Sequence, residues 1–488
     1  MLSTTMLLVL APLLTSGRQD GRARCEALLA LAQENPRLEL ALGTHRASGT
    51  PFVQGRFTVP EDRSSAEGRR IRLGLVVLPA LSDEPADDPV FVLHGGPGAP
   101  ATSLFRAQVR GWLRQERDVV LVDQRGTGSS NPLTVPLAGS DDDLSSYFTS
   151  YFEVERYEAA LEDLLQRADP RQYTTDNAVD DFDELRAALG YERVNLRGGS
   201  YGTRAALVWM RRHPHSIRTA TLQGVAPIAF RNPLPHAREA QQALELLFDE
   251  IRSEPRYVEA FGNLERKFAE TLERLSEEPA KVSVRHPATG TPETVLLDRD
   301  AFAEAVRLQM YTLEGNRQLP RRLLRAHAGE LSELAEASLQ MSRSVRGLIS
   351  WGTLISVTES EDLWRIDPEE IEAACAGTFL GERRVREQLA VAKIWPSGQV
   401  SASWAEPVSV DVPTLLWSGS HDPATSPRWG EEAARHLPRS LHVVVPGGHG
   451  VFGPAVERLD RAFLESGTTE GLDLSEVEAL ELPPLALP

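Results

Sequence analysis

Cysteine is nearly absent from this 488-residue chain, with only Cys25 and Cys375 present. At most one intramolecular disulfide can form, and metal sites built on paired cysteines are excluded. Lysine is almost as scarce: Lys267, Lys281 and Lys393 are the only three, and arginine carries the remaining basic charge. Basic side chains as a whole fall short of acidic ones, 52 against 70, which leaves a net charge of -18. That sign repels phosphate backbones, so no nucleic-acid partner is expected. Long apolar runs are missing too. Residues 6–14 (MLLVLAPLL) are too few to span a bilayer, so no stable membrane insertion is expected. No Walker loop occurs, and nothing in the composition calls for a metal or an organic cofactor.

What is present is ordinary globular composition, 41% hydrophobic and 25% charged, with length enough for a large core. The 6–14 run ends in Thr15-Ser16-Gly17, small residues suited to a signal-peptidase site, so residues 1–17 read as a signal peptide. The chain is then expected to be exported, periplasmic or secreted; without cleavage it would be cytoplasmic. Cys25 follows Arg22-Ala23-Arg24, which is no lipoprotein attachment site.

Short β-branched runs at 71–78, 90–93, 119–122, 193–197 and 219–222 alternate with amphipathic helical patterns. Alternation of that kind predicts a mostly parallel sheet flanked by helices. Over 228–401 the pattern turns helical, with Ala240, Ala243, Leu244, Leu247, Phe248 and Ile251 at core-facing spacing. A hairpin at 282–284 and 294–297, turning through Thr289-Gly290-Thr291, interrupts it. The sheet pattern returns at 414–417 and 441–445. The expected organisation is one α/β domain in two pieces, 18–227 and 402–466, with a mainly helical cap inserted between them and an acidic surface tail at 467–488.

Gly198-Gly199-Ser200-Tyr201-Gly202 matches G-x-S-x-G between a predicted strand and a predicted helix. A strand-to-helix turn that tight lifts the serine hydroxyl clear of the sheet and sets it at a helix N-terminus, which favours negative charge. A serine hydroxyl needs a histidine to take its proton and a carboxylate to orient that histidine. Asp422 follows the 414–417 strand, and His449 follows the 441–445 strand in Pro446-Gly447-Gly448-His449-Gly450. Ser200, Asp422 and His449 are therefore the candidate triad. His421 precedes the acid and His442 begins a strand, so both are assigned structural roles. The glycines of His94-Gly95-Gly96-Pro97-Gly98 let backbone N–H groups approach a substrate carbonyl. The expected oxyanion donors are the Gly96 and Tyr201 amides, with Gly95 open as an alternative to Gly96 and His94 holding the loop.

Together HGGPG (94–98), DQRGTGSS (123–130), GGSYGT (198–203), SGSHDP (418–423) and GGHG (447–450) resemble the prolyl aminopeptidase and tripeptidyl aminopeptidase family of α/β-hydrolases, over nearly the whole chain. The resemblance implies the α/β-hydrolase fold with a helical cap and the triad Ser200, Asp422 and His449. It also implies that Asp123 and Arg125, read as a structural ion pair, shape a loop beside the site. The segment 355–362 (ISVTESED) resembles a family stretch that commonly reads V-T-C-A-E-D, with Glu359 where the cysteine would stand; Val391 and Ala392 occupy the place of its partner. Loss of both cysteines indicates a dispensed-with disulfide.

An enzyme of this family would release an N-terminal proline or a short N-terminal peptide from substrates with a free N-terminus. Carboxylates at the closed end of the cleft would hold the ammonium group, and Glu361, with Asp362 or Glu359, is the candidate anchor. The alternatives are a carboxylesterase using the same triad and, more remotely, a non-catalytic binding protein. Serine at the elbow excludes an aspartate-nucleophile dehalogenase.

Overall fold

A computed structural model of the chain describes residues 21–65 and 67–488. The 1–17 leader lies outside the described residues. Two strands not read from the sequence come first, β1 (Leu38–Thr44) and β2 (Pro51–Pro60). The expected runs follow as β3 (Arg70–Leu78), β4 (Val90–Leu93), β5 (Val119–Val122), β6 (Val194–Gly199) and β7 (Ile217–Gln223). The hairpin β8 (Ala280–Arg285) and β9 (Pro292–Leu297) stands apart as its own two-stranded sheet, and β10 (Thr414–Gly419) and β11 (Ser440–Val445) complete the main one.

The main sheet has nine strands in the order β1-β2-β3-β5-β4-β6-β7-β10-β11. β1, β2, β3 and β5 pair antiparallel, and every pair from β5 through β11 is parallel. Every residue of β4 and β5 is buried, as in strands covered by helices on both faces, whereas exposed and half-buried residues interrupt β2. After β5 has joined one side of β4, the chain returns to place β6 on its other side. That reversal opens a crevice at the carboxyl ends of β4 and β6, where open α/β sheets bind ligands.

Between β7 and β10 the chain is helical apart from the hairpin and short connections, and these helices bury a core of their own that includes Leu247, Phe261, Phe302 and Leu323. The helical layer recruits more chain than 228–401. Leu144, from the connection after β5, lies in the same core, and Phe152 and Tyr157 pack edge-on against Trp351 and Trp395. Where a disulfide would have tied the helices Trp351–Glu361 and Arg383–Ala392, the Gln388 amide donates to Thr358 Oγ1 at 2.9 Å. Cys25 and Cys375 are buried in different hydrophobic clusters.

The C-terminal residues depart from the expected surface tail. Val477 packs beneath β10 and β11, and Leu485 is buried in the cap core. The Leu485 and Ala486 amides donate to the Tyr257 hydroxyl and the Arg317 carbonyl, so the end of the chain is stitched to the cap. Burial of a leucine outweighs the acidic, proline-rich flanks that suggested a solvated tail. Among the described residues no helix is long and apolar enough to cross a membrane.

Candidate active site

Ser200 sits between β6 and the helix Tyr201–Arg212 with φ 54° and ψ -126°, a conformation that costs a non-glycine residue roughly 1–3 kcal/mol. The surrounding backbone enforces it: Ser200 N–H donates to Gln223 O at 2.9 Å, and Thr203 N–H donates to Ser200 O at 2.8 Å. The flanking glycines are required by close approach. A Cβ on Gly198 would lie 2.5 Å from Gly202 O, and one on Gly202 would lie 2.3 Å from Leu93 O. The elbow helix is thus pressed against the end of β4, which brings the 94–98 loop to the serine: a Cβ on Gly95 would stand 2.9 Å from Ser200 Cβ.

In that loop the Gly95 N–H donates to His94 Nδ1 at 2.7 Å. Burial drives the His94 pKa down to about 4, so the ring is neutral and can accept. The Gly95 N–H is therefore engaged within the loop. Among the described residues the Gly96 and Tyr201 amides have no protein acceptor. The Tyr201 amide is one of the orphan donors at a helix N-terminus.

Asp422 and His449 meet as expected, with His449 Nδ1 2.9 and 3.0 Å from the two carboxylate oxygens. The carboxylate also accepts from the Ala424 and Thr425 amides and the Thr425 hydroxyl. Burial opposes charge on Asp422, but His449 and these donors outweigh it and hold its carboxyl below the usual range. Burial likewise opposes charge on His449, and the Asp422 carboxylate overrides it, so the imidazole pKa is raised. With Nδ1–H given to Asp422, Nε2 is the ring nitrogen left without a proton in the neutral imidazole.

The cap also touches His449, through a residue that sequence reasoning missed. The Tyr311 carbonyl accepts the His449 N–H at 2.9 Å, and the Tyr311 ring packs edge-on to the imidazole at 5.2 Å. Arg307 Nη1 holds the Tyr311 hydroxyl at 2.6 Å. Nothing in the local sequence marks Tyr311; it ends a helix far from every motif.

Ser200, His449, Gly96 and Tyr201 line one cavity of about 860 Å³, roofed by the cap and large enough for a short peptide. His421 and His442 lie outside its lining, bonded to the hydroxyls of Ser420 and Ser418. Two expectations need correction. Arg125 is paired with Asp181, at 2.7 and 2.8 Å, and Asp123 instead accepts from Thr102 and Ser129. Glu361 does not reach the cleft: it is fully buried beneath Tyr201 and accepts from the Thr175 amide at 2.6 Å and hydroxyl at 3.0 Å. Its neighbour Asp362 borders the cavity, but its carboxylate is taken by Arg204 at 2.7 Å and Arg365 at 2.8 Å. Glu359 is half-buried on the same helix and is not part of the cavity lining.

The model of the alpha/beta hydrolase fold family matches residues 88–455. The chain belongs to that family. Along its length this α/β-hydrolase is similar to the serine protease Hip1 of Mycobacterium tuberculosis, with 25% identity over 468 residues and 85% of each chain covered. It is also similar to the proline iminopeptidase of Xylella fastidiosa, 29% identical over 141 residues that make up 29% of this chain and 33% of the relative. Among solved structures, the proline iminopeptidase of Mycobacterium smegmatis aligns with a TM-score of 0.40 at 18% identity, covering 84% of this chain and 96% of that one.

Proposed function

We propose that this α/β-hydrolase is a serine aminopeptidase that releases an N-terminal proline or short N-terminal peptide through an acyl-enzyme. The observation that carries a nucleophilic mechanism is the two-point contact of Asp422 with His449, which lines one cavity with Ser200 on its strained elbow and with the residues of two unengaged amides, Gly96 and Tyr201. The similarity to proteins named serine protease and proline iminopeptidase supports peptides as the substrate class.

In the proposed cycle Ser200 Oγ attacks the acyl carbon while His449 Nε2 takes the hydroxyl proton. The Gly96 and Tyr201 N–H groups receive the oxyanion, an interaction worth several kcal/mol per donor in comparable sites. The intermediate collapses as His449 protonates the leaving amine. Water, deprotonated by His449, then hydrolyses the ester, and Ser200 is regenerated. Asp422 keeps the imidazole in the productive tautomer throughout.

A carboxylesterase is the second reading, and one observation favours it. Each carboxylate bordering the cavity is already paired, Asp362 with Arg204, Asp460 with Arg197 at 2.6 Å, and Glu457 with Arg461 at 3.7 Å. Neither buried one, Asp362 or Asp460, is left free for a substrate ammonium.

Pro-, Ala- and tripeptidyl-arylamides, each with and without an N-terminal blocking group, separate the readings when compared with a short-chain aryl ester. Amide hydrolysis that disappears on blocking is the expected result; hydrolysis of esters alone would overturn the peptidase reading. Ser200→Ala should abolish turnover and fluorophosphonate labelling, and stoichiometric labelling of another serine in that variant would overturn the nucleophile. Export is part of the proposal on the strength of residues 1–17, and recovery of a processed chain outside the cytoplasm tests it.

A further inference from the structure

Basic side chains line the cap side of the cavity. Arg307 and Arg384 both border it, together with His236. Arg307 is neutralised in place, with Nε 2.8 Å from Glu304 and Nη1 on the Tyr311 hydroxyl. Burial, with Arg384 and Arg307 nearby, keeps His236 uncharged, so it supplies neither a counter-ion nor a competing cation.

Arg384 differs from its neighbours. It lies in the first turn of the helix Arg383–Ala392, where Arg383 pairs with Asp300 and Glu387 and Arg386 pairs with Glu382. Among the described residues Arg384 makes no ion pair, and its Nε is buried with no acceptor. Its contact with the protein is the face of Phe152, 5.9 Å from the guanidinium. It borders both the main cavity and a side chamber of about 90 Å³, so it stands at the junction of the two. A guanidinium keeps its charge even when desolvated, and holding it there without an anion is costly. The charge of Glu304 reaches Arg384, but its oxygens are given to Arg307, and the other nearby carboxylates are used on Arg383 and Arg386, so Arg384 borders the cleft with no carboxylate bonded to it.

Resting on the peptidase reading of the site, we propose that Arg384 sets substrate specificity by binding a carboxylate of the substrate in a two-pronged ion pair. The planar fork of arginine matches that ligand, and charge-assisted pairs are the strongest class of such contacts. Two sources present the same group: an acidic side chain near the scissile bond, or the C-terminal carboxylate of a peptide short enough to lie within the cleft.

Four free-N-terminus tripeptides, with Glu or Gln at the central position and a C-terminal carboxylate or amide, distinguish the sources. The wild type should cleave peptides of one arm with a kcat/KM at least tenfold above that of their neutral counterparts, mainly through KM. In Arg384→Gln that ratio should collapse to within about twofold, and Arg384→Lys should restore part of it. A ratio near one in both arms of the wild type, or a ratio that survives Arg384→Gln, would overturn the inference. Should the variants fail to fold, wild-type inhibition by glutarate but not by glutaramide reads the same contact, and equal effects of the two would overturn it. If no free-N-terminus peptide is cleaved, the peptidase reading fails separately. The comparison then passes to the 4-nitrophenyl monoester of glutarate and its methyl ester, and a preference for the charged ester that collapses in Arg384→Gln sustains the carboxylate contact.

Discussion

The floor and the roof of the cleft are built on different principles. On the floor, Ser200, His449 and the Gly96 loop each follow a strand of one sheet, and backbone contacts at van der Waals limits fix their separations. On the roof, the residues facing the cavity come from separate helices, and ion pairs within and between those helices decide which charges stay available. Under the proposed function the floor would carry the chemistry and the roof the choice of substrate, because rigid backbone suits a reaction and redistributable charge suits selection.

Asp422→Asn is the sharpest test of the floor. The asparagine amide would present N–H where the carboxylate accepts from His449, so the imidazole would be held with Nε2 protonated and unable to take the serine proton. The expected loss in kcat is roughly 10³- to 10⁴-fold, with folding intact, because the residue keeps its size. Retention of more than a tenth of wild-type kcat would show that this pair does not orient the base.

The next effect lies at the seam where floor and roof meet. Arg204, on the elbow helix, donates to Asp362 of the cap at 2.7 Å and to the Pro227 and Phe230 carbonyls. Arg204→Met leaves Asp362 in a fully buried position with Arg365 as its remaining cation. Removing one partner of a buried pair typically costs about 3–5 kcal/mol, so urea unfolding should show a loss of that order. A change below about 1 kcal/mol would mean that floor and roof are held together elsewhere.

The floor was also the part legible in the sequence, for the same reason that it is rigid. Its glycines and strand-end loops are local patterns, so Ser200, Asp422 and His449 could be placed from their neighbours. β1 and β2 were not, since strands at a sheet edge with one solvated face carry a weak apolar signal, and the antiparallel pairing of β3 leaves no mark on its residues. What the sequence hid are contacts between residues far apart in the chain, within the core and across its seam with the cap. Arg125 finds Asp181 across 56 positions in the core, and Arg204 of the elbow helix finds Asp362 of the cap across 158, pairings that no local spacing encodes. Glu361 illustrates the failure most clearly. Its motif pointed to the cleft, yet a helix that carries Asp362 toward the cavity edge turns Glu361 inward onto Thr175.

That inward turn predicts the smallest effect. Burial pushes the Glu361 pKa up to about 8, with Arg204 and the Thr175 donors only partly opposing it. Near neutral pH the folded chain therefore holds a proton that the unfolded chain releases near the ordinary carboxylate value. The stability Glu361 contributes is complete below that value and declines as pH rises toward about 8. Glu361→Gln keeps the shape and removes the titration. Between about pH 5 and pH 7, unfolding free energy of the wild type should fall relative to the variant by about 2.5 kcal/mol, slightly under the limiting slope of about 1.4 kcal/mol per pH unit. Parallel stability curves would instead mean that Arg204 keeps Glu361 ionised, which would return a full negative charge to the seam and tie floor to roof through two carboxylates.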